Sequence, residues 1–229
     1  MVPPLVLDID GTLTTADGRI DGRVFELLPD WEAPVVFATG KAFPYPVALA
    51  NFLGLPARVI AENGGVVHVD DETQILGDPT TARAVVETFL ERGGDLGWGD
   101  DETVNRWRET EVALSVDADE TLLREVAAAA DGVEVIDTGY ALHVTSPAVS
   151  KGDGLVRVAD AIGVSPERFV AIGDSENDVS TFDAAGASYA VANADSAATA
   201  AADTVLAAGF MDGTAAVLDA LRAGREPRA

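Results

Sequence analysis

A doubly wound parallel α/β sheet carrying an inserted, smaller α+β unit is the fold class this sequence predicts, and three observations predict it. Short, unbroken apolar runs alternate with helical patterns at both ends of the chain, as in strands covered by helices on both faces. Between about Thr80 and Thr145 the pattern changes to strands and helices in the order of an antiparallel sheet with helices on one side. The first style then resumes, so the middle unit is an insertion. The expected division is a core of residues 1–79 and 147–229 around a unit of residues 80–146, with the prolines of Gly77-Asp78-Pro79 and Ser146-Pro147 at the hinges.

In order, Leu5 to Ile9 is apolar until its end and reads as a buried strand. Val24 to Leu28 is a short helix, and Ala33 to Ala38 a second buried strand stopped by Thr39-Gly40. Val47 to Leu53 has helical spacing and ends at Gly54; Arg58 to Ala61 is a third strand, and after Glu62-Asn63-Gly64-Gly65 the alternation from Val66 to Ile75 predicts a hairpin. The inserted unit reads as a helix (Ala82 to Arg92), a Gly/Asp-rich loop (Gly93 to Asp101), a strand (Val112 to Val116), a helix (Glu120 to Ala130) and two strands (Val133 to Ile136, Ala141 to Thr145). Core elements return as a helix (Gly154 to Ile162), a strand (Phe169 to Ile172), a helix (Val179 to Ala185), a strand (Tyr189 to Val191) and a helix (Ala215 to Leu221), followed by a polar tail from Gly224 to Ala229.

Of the 229 residues 48% are apolar and 24% charged, the balance of a folded chain. A net charge of -24 opposes phosphate backbones and anionic membrane surfaces, so neither nucleic acid nor membrane is an expected partner. The absence of cysteine excludes disulfide scaffolds, thiolate metal sites and cysteine nucleophiles. Met1-Val2-Pro3-Pro4 lacks a basic leader region and no stretch of ~18 apolar residues occurs; a cytoplasmic monomer or homodimer is expected. The basic residues are thirteen arginines and two lysines, Lys41 and Lys151. A salt-adapted cytoplasm accounts for this acid-rich composition, since a Debye length of ~3 Å at 1 M salt screens the self-repulsion; GC-biased coding is the other account. Loss of structure on dialysis into low salt, followed by circular dichroism, is expected under the first and not under the second.

The chemistry-bearing residues gather at strand ends. Asp8-Ile9-Asp10-Gly11-Thr12 closes the first strand, and side chains two apart project to one face, so Asp8 and Asp10 deliver two carboxylates to the edge where doubly wound sheets bind ligands. A calcium loop is the rival, but its glycine belongs at the sixth position and an acid at the twelfth; here the glycine is fourth and the twelfth residue is Arg19. Gly173-Asp174-Ser175-Glu176-Asn177-Asp178 again follows an apolar strand. Asp178 alone reads as a helix cap, yet two strand-end acid clusters in one crevice call for a hard cation with oxygen ligands, Mg2+ first. Thr39 and Gly40 offer a hydroxyl and a backbone N–H suited to phosphate oxygens, and Lys151 a flexible point charge able to reach phosphate and carboxylate together.

The order DIDGT, ATG, SKG, GDSEND resembles the four signature motifs of the haloacid dehalogenase superfamily of phosphatases, and the inserted unit resembles the α+β cap of its Cof-like branch. Size, the Glu62-Asn63-Gly64-Gly65 element and the small cap are most similar to the archaeal phosphoglycolate phosphatases. The resemblance implies a Rossmann-like core, Asp8 as nucleophile and Asp10 as general acid/base. It implies a magnesium site of Asp8, Asp10, Asp174 and Asp178, phosphate held by Thr39, Gly40 and Lys151, and Asn63 and Asn177 near phosphate or substrate. The implied partner is a small phosphorylated metabolite. Lys41 departs from the pattern, where Arg or Asn is common. Two other functions share parts of this constellation: a receiver-type signalling module, which needs about half the length and no insertion, and a sugar-phosphate mutase, which retains the phosphoryl group.

Weaker signals remain. Arg106-Trp107-Arg108, read as a strand edge, offers two guanidiniums to a substrate carboxylate or to nearby Glu109 and Glu111. His68 and His143 read as structural, and Asp212-Gly213-Thr214 as a helix cap.

Overall fold

The computed structural model describes residues 2–99 and 103–228; the expected Gly93 to Asp101 loop and both chain ends reach beyond them. In chain order the elements are β1 (Leu5–Leu7), α1 (Val24–Leu27), β2 (Val35–Ala38), α2 (Pro44–Leu53), β3 (Arg58–Ala61), β4 (Val66–Val69), β5 (Glu72–Ile75), α3 (Pro79–Glu91), α4 (Thr103–Arg106), β6 (Val112–Ser115), α5 (Glu120–Ala128), β7 (Glu134–Asp137) and β8 (Ala141–Thr145). They continue as α6 (Lys151–Ile162), β9 (Val170–Gly173), α7 (Val179–Ala184), β10 (Ala187–Ala190), α8 (Ser196–Ala201), β11 (Thr204–Val205) and α9 (Phe210–Arg222).

Eight strands form one sheet in the order β11-β10-β9-β1-β2-β3-β4-β5. The pairs from β11 to β3 are parallel, and the pairs β3–β4 and β4–β5 are antiparallel. Alternation along β1 sends Leu5 and Leu7 into one apolar layer with Phe37, Ile172 and Leu218, and Val6 into the other with Ile60, Leu155 and Phe169. Helices therefore cover both faces. Strand order reverses about β1, which lies between β2 and β9, and doubly wound sheets open their ligand crevice at the carboxyl ends of the strands at that point.

A separate antiparallel sheet, β6-β8-β7, lies within the expected insertion. Its apolar layer packs on α3 and α5 through Val85, Phe89, Leu114, Leu123, Leu142 and Val144. Asp78 caps α3 by accepting from Thr80 N at 2.9 Å, and Pro79 at the first helical position needs no N–H partner.

Local departures from the sequence reading have physical causes. α6 starts at Lys151 rather than Gly154, capped by Ser150, because its early glycines are packing residues and not helix breaks. A Cβ on Gly152 would stand 2.2 Å from Ser180 O, and one on Gly154 would stand 2.5 Å from Ile60 Cγ2. α9 begins at Phe210, so Asp212-Gly213-Thr214 lies inside its first turns and is not the cap, Gly209 being the N-cap. The strand edge expected at Arg106 is instead the end of α4. α8 and β11 carry no apolar contrast in an alanine-rich stretch and are new.

Candidate active site

β1, β2 and β9 run in parallel register, Leu7 beside Phe37 and Ile172, so the residues after each strand emerge side by side. Asp8 leaves β1 with its N–H on Ile172 O at 3.0 Å, and Thr39 leaves β2 with its N–H on Ile60 O at 2.8 Å. Asp174 follows β9 directly, and the next turn brings back Asp178, whose Oδ2 accepts from the N–H groups of Asp174 and Ser175 at 2.9 and 3.2 Å. Lys151 enters from the first turn of α6 and is 1% exposed despite its charge.

Its Nζ donates to Asp8 Oδ1 at 2.8 Å, Asp178 Oδ1 at 2.7 Å and Asn177 Oδ1 at 3.1 Å. All three ammonium protons are thereby used, and the two ion pairs raise the lysine above its ordinary pKa in spite of burial. One lysine does not balance the acids around it. Burial, opposed by Lys151 and aided by Asp178 and Asp10, pushes Asp8 up to about 7. Burial, then Asp8 and Asp178, pushes Asp174 up to about 9.

Asp8, Asp174 and Asp178 each offer a carboxylate oxygen within 4.8 Å of the others. Asp8 Oδ2 and Asp174 Oδ1 are buried and carry no hydrogen bond among the described residues. Two buried carboxylate oxygens without partners, beside carboxyls whose ionisation burial and mutual repulsion oppose, leave a deficit of positive charge, and an all-oxygen donor set suits a hard divalent cation such as magnesium. Asp10 stands apart from those three, its Oδ1 paired with Lys41 Nζ at 3.0 Å on the rim.

Three further groups are fitted to the pocket without having been expected there. Asn193 Nδ2 donates to Gly11 O at 3.1 Å and Asp174 Oδ2 at 3.3 Å, while its Oδ1 accepts from Phe210 N. Tyr140 reaches in from the loop between β7 and β8, and burial together with Asp174, Asp10 and Asp8 raises its phenol above its ordinary pKa. Gly11, at φ +79, lies so close that a Cβ would stand 1.8 Å from Asp174 Oδ2 and 2.7 Å from the Tyr140 hydroxyl. Gly11→Ala is expected to cost roughly 1–3 kcal/mol in backbone strain alone and to displace Asp174. Urea denaturation and magnesium titration by calorimetry check both effects.

A buried polar chain runs from this pocket to the inserted sheet. Asn177 Nδ2 donates to Asn63 Oδ1 at 2.9 Å, and Asn63 Nδ2 donates to Glu111 Oε2 at 2.8 Å. Glu111 Oε1 accepts from His143 Nδ1 at 2.8 Å and also from Arg108 Nη1. Arg108 Nη1 donates in addition to Gly40 O at 2.8 Å. Asn63 occupies the left-handed region at φ 55 beside Glu62 at φ 51. That turn aims Glu62 at the inserted unit, where it accepts from Thr110 N and Thr110 Oγ1, both at 2.8 Å. His143 thus does more than fill a core, since it also lines the cavity, whereas His68 bonds Thr73 at 2.7 Å and packs on Phe43, as a structural histidine does. Of the Arg106/Arg108 pair, Arg108 alone lines the cavity and Arg106 is exposed.

The crevice is a cavity of about 390 Å³ whose wall includes Asp8, Asp10, Gly40 and Asn177 from the large sheet's side and Tyr140 and His143 from the small sheet's side. The family model of the haloacid dehalogenase-like hydrolases matches residues 5–96 and 114–218.

The chain belongs to the haloacid dehalogenase-like hydrolases.

Curated relatives match nearly all of its length. It is 75% identical to the phosphoglycolate phosphatase of Halorubrum lacusprofundi over 99% of this chain and 100% of that one. It is 35% identical to the phosphoglycolate phosphatase of Methanothermobacter thermautotrophicus over 92% of this chain and 95% of that one. Among solved structures, Thermoplasma acidophilum 0175 superposes with a TM-score of 0.84 at 23% identity, covering 97% of this chain and 99% of that one. The subclass IIB sugar phosphatase BT4131 superposes at 0.74 with 19% identity, covering 97% and 98%; likenesses at these identities are to the fold of the haloacid dehalogenase-like hydrolases. The acid-rich composition fits a chain whose near relatives come from halophilic archaea.

Proposed function

We propose that this chain is a magnesium-dependent phosphatase that hydrolyses a small phosphomonoester, 2-phosphoglycolate to glycolate and phosphate, through an aspartyl-phosphate at Asp8. The observation that carries this reading is the buried trio Asp8, Asp174 and Asp178 facing Lys151, with two carboxylate oxygens unpartnered. The names of the full-length relatives support the substrate.

In this mechanism the free Oδ2 of Asp8 attacks phosphorus as the P–O bond to the alcohol breaks, and the carboxylate becomes an acyl phosphate. Asp10, two residues on, protonates the departing glycolate oxygen and later takes a proton from the water that cleaves the acyl phosphate; Lys41 holds its carboxylate at the rim. Thr39 Oγ1 accepts from Lys41 N at 3.1 Å, leaving the hydroxyl proton to donate to phosphate beside the Gly40 N–H. Lys151 keeps Asp8 in place and offsets the approach of a dianion to a carboxylate. Asn177, tethered by Asn63, faces the same phosphate. Asp8, Asp174 and Asp178, with Asp10 adjoining, would hold magnesium, which supplies positive charge to the phosphate and to the crowded carboxylates. Residues 80–146 act as the cap that walls the reacting centre from water.

Inorganic phosphate release from a panel of small phosphorylated metabolites tests the reading. With magnesium, 2-phosphoglycolate is expected to lead the panel, and EDTA is expected to reduce its turnover at least ~100-fold, restored by excess Mg2+. Isomerised ester without free phosphate would instead indicate a mutase, and a stable phosphoprotein without turnover a receiver-type module.

A further inference from the structure

Resting on the phosphatase reading, we propose that Arg108, held by the buried carboxylate of Glu111, recognises a carboxylate on the substrate and selects short phosphoesters that carry one close to the phosphate. The cavity's positive groups are few. Lys151 is spent on Asp8 and Asp178, and Lys41 on Asp10. Arg108 is paired as well, with Glu111, but among the described residues it is the one permanent cation on the wall besides Lys41, and it keeps a guanidinium nitrogen, Nη2, without a partner.

Glu111 has a fully buried side chain and takes Arg108 Nη1, His143 Nδ1 and Asn63 Nδ2. Arg108 Nε donates to Val104 O at 3.1 Å. Among the described residues Arg108 Nη2 has no hydrogen-bond partner, and the side chain, 6% exposed, lines the cavity. A guanidinium fixed through Nε and Nη1, with Nη2 left over, is preorganised for an acceptor that comes with the substrate. Because Glu111 is ionised it accepts only, so His143 Nδ1 carries the shared proton and the ring is fixed as a wall of the cavity. That wall is close: a Cβ on Gly40 would meet His143 Cε1 at 3.0 Å.

The position of Arg108 sets the length of the substrate. Its Nη1 lies 2.8 Å from Gly40 O, and the N–H of the same residue faces phosphate in the proposed mechanism. The guanidinium thus stands beside the residue proposed to hold phosphate, which suits an ester whose carboxylate lies close to its phosphate.

The experiment compares kcat/KM for 2-phosphoglycolate with that for ethyl phosphate, which has the same chain length and no carboxylate. The wild-type ratio is expected to be large, to fall roughly 30-fold or more in Arg108→Met, and to be partly recovered in Arg108→Lys. The ratio is internal to each preparation, so a variant that merely folds poorly loses both substrates equally and leaves it unchanged. An unchanged ratio in Arg108→Met, or, if that variant is insoluble, an unchanged ratio in the equally neutral Arg108→Gln, overturns the assignment while leaving the phosphatase reading intact. Wild-type protein that releases phosphate from neither ester overturns the phosphatase reading itself, and a wild type without preference for the charged ester overturns carboxylate recognition.

Discussion

Asp8→Asn is expected to lower turnover of 2-phosphoglycolate by about four orders of magnitude or more, since an amide offers no anionic oxygen for attack on phosphorus. The same substitution is expected to leave the fold intact. Asp8 is 5% exposed among other carboxylates, with burial and Asp178 opposing its ionisation, so a neutral isostere relieves repulsion. Lys151 keeps Asp178 and Asn177 as partners. Steady-state kinetics and a thermal melt on one preparation make the check, and turnover within tenfold of wild type removes Asp8 as the nucleophile. Wild-type protein quenched in acid during turnover should carry a phosphoryl group by mass spectrometry that the variant lacks.

Glu111→Ala carries the largest expected effect on stability. Its carboxylate takes three donors inside the protein, and breaking a buried pair from one side typically costs about 3–5 kcal/mol. Water reaching Arg108 through the cavity places the expected loss near the lower figure, a fall of ~6–12 °C in Tm for a chain of this size. Glu111→Gln is expected to rescue little, because the amide NH2 meets donors. The pH dependence follows from the same contacts. Burial works to raise the Glu111 carboxyl, but His143 and then Arg108 outweigh it and hold the group below its ordinary 4.5. The unfolded chain therefore binds the proton more readily, and the stability from Glu111 is present above about pH 4.5 and lost as pH falls through the lower folded value. Denaturation midpoints between pH 3 and 6 should show that acid limb in wild type and a flatter one in Glu111→Ala.

How far sequence led to structure differs between the two sheets. Strands of the large sheet are covered on both faces and read as apolar runs, and the geometry of a parallel sheet brings the polar residue ending each run to the carboxyl edge, where such sheets open their crevice. That is why Asp8, Thr39 and Asp174 were legible and why they converge. Asn193 follows the same rule, three residues beyond β10, and reading the end of that strand as the others were read would have found it. Arg108, Glu111, Tyr140 and His143 are different. Each meets the pocket through tertiary contacts such as Asn63 to Glu111 and Arg108 to Gly40, and no local periodicity encodes pairing between residues so distant in the chain. The hints were the run Arg106-Trp107-Arg108, read as facing a substrate carboxylate or Glu109 and Glu111, of which Arg108 does pair with Glu111, and polarity out of place: Glu111 opens an apolar strand, and His143 alternates inward between Leu142 and Val144.

Both lysines of this chain stand at the crevice, one sealed behind the aspartates and the other at its mouth with 41% of its side chain open to solvent. Every other side-chain cation is an arginine. Acylating reagents that modify amines but spare guanidines therefore find, among side chains, a single accessible target, Lys41. A fluorophore or surface linker attached by such chemistry would report from the doorway of the pocket without a cysteine having to be engineered.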